Sequence, residues 1–183
     1  MKNLIYLLMF IATTVNAQFN KDSIKANFLN IENMPYICEG NFQIGKFGCG
    51  DSLFWKVVTQ KDSVISGLIQ LLSDTSETMV YFPNYGEKMR IADVAEIALG
   101  EIIQPLPRPN EFYNIEPIDG SQWMANINWL QRSVENRIKY QNAIAVWNKE
   151  NKSHLVWTLS NTFMCGDLRG EHPNKGHYKL KKE

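Results

Sequence analysis

Apolar residues return at helical intervals along most of this chain, and that periodicity predicts its elements. Ile24, Phe28 and Ile31 stand at i, i+4 and i+7, which predicts a first helix over residues 20–33. Residues 34–50 carry Pro35 and four glycines and read as loop or short extended pieces. Asp51 suits the N-cap of a helix over 52–60, with Leu53, Phe54, Val57 and Val58 facing inward. A helix over 63–73 follows, opened by Asp62 or Ser63, with Val64, Leu68, Leu71 and Leu72 on one stripe. Residues 73–87 are polar and turn at Pro83, Asn84 and Gly86, with 79–82 as a short extended candidate. The clearest helix spans 90–104, where Ile91, Val94, Ala95, Ala98, Leu99 and Ile102 hold an apolar stripe over three turns. Pro105 ends it, because proline lacks the N–H that continuation requires.

Beyond that point the signals weaken. Pro105, Pro107, Pro109 and Pro117 make an extended, stiff connection, long enough to lie along the surface or to be functional. Residues 123–130 begin another helical region, and 133–151 read as a helix with Tyr140, Ala143, Ile144 and Trp147 on one face. Residues 155–159 suit either a strand or one more buried turn, and 165–178, with three glycines and Pro173, read as loop. Strands near 36–47 and 155–180 would make the fold more mixed. Trp123, Trp129, Trp147 and Trp157 crowd this C-terminal third and are expected to fill a core.

The first residues change the picture. Residues 1–17 combine a positive start, an uncharged apolar run over 4–11 and a small-residue ending at Val15, Asn16 and Ala17. That is the pattern of a cleavable secretory signal peptide, which predicts export to the periplasm or the cell exterior. The apolar run is much shorter than the roughly 20 residues a spanning helix needs, and no later segment qualifies, so no membrane span is expected after cleavage. Residues 18–183 are expected to form a single domain. Without Lys2, Lys and Arg fall from 19 to 18 against 19 acids, a net charge of −1. A near-neutral balance argues against a nucleic-acid partner, which would call for a basic field. Lys179, Lys181 and Lys182 read as a solvated tail. Cys38, Cys49 and Cys165 are disulfide candidates in an oxidising compartment, and their spacing does not choose among the pairings.

The two central helices carry a resemblance. Residues 64–74 form a first helix ending in a leucine-rich turn and Asp74, and Arg90, Val94, Ala95, Ala98, Leu99 and Ile102 mark the second. The pair, over 63–104, resembles a HEAT-type repeat, although residues 75–88 are inserted between its helices. The resemblance implies a mostly α fold of antiparallel, HEAT-like helix hairpins, closed here by irregular or short-strand terminal segments. It also implies protein interaction in general terms. No second copy of the unit is evident.

Candidate chemistry is sparse. Cys165, His172 and His177 lie on one glycine-containing segment, and the histidines have the spacing of half a zinc site. Asp167, Glu171 or Cys49 would supply a fourth ligand, but the usual paired-cysteine half is missing. A Cys–His nucleophile built from Cys165 or Cys49 with His154, His172 or His177 has no family signature around it. Asp93, Glu96 and Glu101 read as the solvated side of their helix. Tyr81, Phe82 and Tyr85, on the segment that interrupts the helix pair, are the better binding candidates, since functional side chains often sit on loops held by a rigid scaffold. The expectation is therefore an exported, non-catalytic protein-binding module without a cofactor. The alternative is a zinc-binding protein or hydrolase using residues 165–177.

Overall fold

The computed structural model describes residues 20–35, 50–81, 87–160, 163–165, 168–170 and 173–181. The proposed signal peptide, Cys38, Cys49, Phe82, Tyr85 and His172 lie outside them. Among the described residues the fold is mostly α: seven helices with three two-stranded antiparallel ribbons.

Helix α1 (Lys21–Leu29) is shorter than its apolar spacing predicts. The Asn20 side chain caps it by accepting the Ser23 N–H, and the Asn30 amide donates back to the Ala26 carbonyl at its end. Asp51 caps α2 (Ser52–Val58), its carboxylate accepting the Leu53 N–H at 2.8 Å. Helix α3 (Asp62–Leu71) then packs chiefly against α4 (Ile91–Ile102). Ile24, Phe28, Phe54, Val58, Leu68, Leu71, Val94, Ala98 and Leu99 are all fully buried in one core. Each large apolar side chain so buried contributes roughly 1.5–3 kcal/mol.

Between α3 and α4 the chain forms a ribbon, β1 (Glu77–Tyr81) paired with β2 (Lys88–Arg90). The ribbon places the start of α4 beside the end of α3. The Ile91 and Ala92 N–H groups, orphans of the first helical turn, donate to the Ser76 and Asp74 carbonyls at 2.8 and 3.0 Å. Lys25 of α1 fastens the same corner, reaching Asp74 at 2.7 Å and the Ser76 hydroxyl at 2.9 Å.

After Ile102 the Gln104–Pro105 peptide is cis and the stretch to Ser121 is mostly extended, interrupted by the single turn α5 (Pro109–Phe112). Helices α6 (Gln122–Arg132) and α7 (Val134–Asn151) meet at one extended residue, Ser133. Its hydroxyl caps α7 by accepting the Asn136 N–H, while the Asn136 amide donates to the Trp129 carbonyl.

The C-terminal segment corrects the loop expected over 165–178. Its backbone forms β3 (Leu155–Leu159) paired with β6 (Gly176–Leu180), and β4 (Phe163–Cys165) paired with β5 (Leu168–Gly170). Lys179 belongs to β6, opposite Val156, rather than to a free tail. The end of α4 holds β6 in place through Gln104, whose N–H donates to the Tyr178 carbonyl at 2.8 Å. Lys61 lies 4.2 Å above the Trp157 ring, and Trp157 meets Tyr178 edge-on. Of the four tryptophans expected in a core, Trp129 and Trp147 pack against it, while Trp123 is exposed.

Candidate functional site

The ribbon between α3 and α4 sorts its side chains by the two-residue period of a strand. Thr78 and Val80 point into the core and Glu77, Met79 and Tyr81 point outward. The Thr78 hydroxyl donates to the buried Met89 carbonyl at 2.9 Å and accepts the Val80 N–H at 3.2 Å, so the inner side is locked by polar as well as apolar contacts. On the outer side Met79 is 58% exposed and Tyr81 46% exposed. Lys88 stands across from Tyr81 with its ammonium 6.0 Å from the ring centroid. Of the three binding residues expected from sequence, Tyr81 is thus presented to solvent at the end of β1.

A second cluster is one that the sequence reading missed. Asp93, Glu96 and Glu101 do not form a solvated face. Asp93 and Glu101 are buried and Glu96 is half-buried. One Asp93 oxygen accepts the Arg90 N–H at 2.7 Å, closing the start of α4. The other accepts from Arg137 of α7 at 2.7 Å, and Arg137 is only 1% exposed. Arg137 Nε has no hydrogen-bond partner within the described protein atoms. Beside this pair, burial and the neighbouring Asp93 charge push the Glu96 carboxyl up to about 7, against the opposing pull of Arg137 and Arg108. Tyr140, one turn beyond Arg137, donates its hydroxyl to the Pro107 carbonyl at 2.8 Å, and burial raises its pKa well above the usual phenol value. The signal that could have found the cluster is Arg137 itself, at i−3 and i−7 from the inward Tyr140 and Ile144.

The outer side of α7 has a different character. An open groove of about 490 Å³ runs between α7 and the Phe112–Tyr113 corner. Tyr113 is held there by stacking on Trp129, centroids 4.9 Å apart, and by donating its hydroxyl to the Lys139 carbonyl. The helix contributes Lys139, Asn142, Ala143, Val146, Trp147 and Glu150, a stripe at i, i+3, i+4, i+7, i+8 and i+11. Val146 is 55% exposed.

Two members of the cysteine–histidine segment fall on strands. His177 is buried within β6, opposite Thr158, and Cys165 ends the backbone of β4. Among the described residues no three His, Cys, Asp or Glu side chains are grouped to hold a metal ion, and no helix is long and apolar enough to cross a membrane. No family model, curated protein or solved structure matches this chain.

Proposed function

We propose that this is an exported, non-catalytic protein-binding module that engages its partner through the outer side of the β1–β2 ribbon. The observation that carries the reading is the pair Met79 and Tyr81. Two large apolar side chains are exposed on a strand whose alternate residues, Thr78 and Val80, anchor it in the core. A rigid ribbon presenting an aromatic and a methionine loses little conformational entropy on docking, and such side chains are enriched where binding energy concentrates. Phe82 and Tyr85, the other two binding candidates, lie outside the described residues. Export rests on the signal-peptide pattern of residues 1–17. The HEAT-like reading of the α3–α4 pair is supported by the packing of the two helices on each other and by the full burial of Ala95 and Ala98.

A photo-reactive side chain placed at Met79 tests the surface in intact cells, with Lys56 on the exposed side of α2 as the control position. One discrete protein adduct from position 79, absent from position 56 and reduced by Tyr81→Ser, is the expected result. Equal labelling from both positions would remove the ribbon as the contact surface.

A further inference from the structure

The groove on α7 is separate from the ribbon, and the two halves of its helix stripe differ in charge and size. We propose that it is the contact surface of a homodimer, in which α7 packs antiparallel against α7 of a second copy. A two-fold axis crossing α7 midway between Ile144 and Ala145 sets Lys139 against the partner's Glu150, Asn142 against the partner's Trp147, and Ala143 against the partner's Val146. Every one of the six helix residues lining the groove then meets another of the six. Such self-complementarity is what an isologous interface requires.

Size and charge both fit this register. Val146 protrudes and Ala143 is small, so each copy offers a knob to the other's hole. The Phe112–Tyr113 corner closes one side of the groove and adds aromatic area beside the seam. Lys139 and Glu150 stand about 16 Å apart at the 1.5 Å rise per residue of a helix, one at each end of the contact. Antiparallel pairing joins opposite charges at both ends, whereas a parallel pair in register would oppose Lys139 to lysine and Glu150 to glutamate. Lys139 now bridges Glu135 on its own helix at 3.3 Å, both side chains being well exposed. An exposed pair of that kind contributes little, so it is easily exchanged for an intermolecular one. A contact of one helix stripe and its rim falls at the small end of specific interfaces, and the dimer is expected to be weak.

Sedimentation equilibrium of the protein as its own cell processes it, from micromolar to millimolar concentration at low salt, gives the test. Wild type is expected to dimerise reversibly. Lys139→Glu and Glu150→Lys should each weaken self-association about ten-fold, because each reverses two attractive pairs by symmetry. An equimolar mixture of the two variants should associate again, since both ends of that heterodimer join opposite charges. The double variant Lys139→Glu with Glu150→Lys in one chain should also recover, which separates loss of contact from loss of fold. A wild type that stays monomeric, a dimer insensitive to either single change, or a mixture no stronger than its parts would overturn the proposal. Loss of the Met79 adduct by contrast bears on the ribbon alone.

Discussion

Helices α4 and α7 meet across the Asp93–Arg137 pair but reach that contact by opposite routes. Helix α4 is covered by α1, α2, α3, β2, β6 and α7, so two of its three acids, Asp93 and Glu101, end inside the protein. Helix α7 is covered on one side only. Arg137, Tyr140 and Ile144 face the core, and apolar Val134, Ile138 and Val146 remain exposed. A charged residue on the inner side of α7 and apolar residues on its outer side both run against simple amphipathic sorting. The inward charge is explained by the carboxylate waiting on α4. Of the outward apolar side chains, Val146 lies in the groove and is the one that the proposed second copy would cover.

The sharpest way to break this comparison is Arg137→Ala. It leaves the Asp93 carboxylate buried without its cation and should cost about 3–5 kcal/mol, read as a large fall in melting temperature. Replacing Arg137 by Met and Asp93 by Asn together should cost distinctly less, because no charge is then stranded and the Asn amide oxygen still accepts the Arg90 N–H. Equal losses in the single and double variants would show that the pair is not the tie between the helices.

Glu96 gives a smaller, pH-dependent effect. In the unfolded chain its proton leaves near 4.5, whereas the folded protein holds it to about 7. The folded state therefore binds more protons in that window, and stability falls as pH rises through it. Allowing for the partial exposure of Glu96, the fall should be ~2 kcal/mol between pH 4.5 and 7.5. Denaturant unfolding at a series of pH values should show the slope in wild type and lose it in Glu96→Gln. A wild type that instead gains stability across this range would mean that Arg137 and Arg108 outweigh burial.

Tyr140→Phe is expected to have the smallest effect, about 1 kcal/mol, from leaving the buried Pro107 carbonyl without its donor while keeping the ring packed. Denaturant midpoints of the pair of proteins check it. A loss as large as that of Arg137→Ala would place the hydroxyl at the centre of the α7 tie.

Much of the helical half was legible. Positions 64, 68, 71 and 72, and 91, 94, 95, 98, 99 and 102, carry a periodicity that only a helix buried along one side produces, and all ten residues are buried. Asp51 marked the start of α2 because its short side chain reaches an orphan N–H two residues on. The ribbon was half legible: the extended piece near residue 79 was visible, but its pairing partner of three residues, Lys88–Arg90, is too short to carry a pattern. Of the candidate site, Tyr81 stands exposed at the end of β1, while the buried acids of α4 were misread because a polar residue on the far side of a helical stripe looks solvated until another element covers it.

What the sequence determined by itself is therefore local: which segments coil, where capping side chains start them, and which stripe of each is apolar. These depend on neighbours within about four residues along the chain. Tertiary structure alone decided the rest. Arg137 meets Asp93 across 44 positions, Gln104 meets Tyr178, and Gly176 lies so close to the Thr158 carbonyl that a Cβ would run into it. Such contacts join groups whose separation in sequence says nothing about their distance in space, and burial by a distant element is what turns an ordinary carboxylate such as Glu96 into one that holds its proton near neutrality.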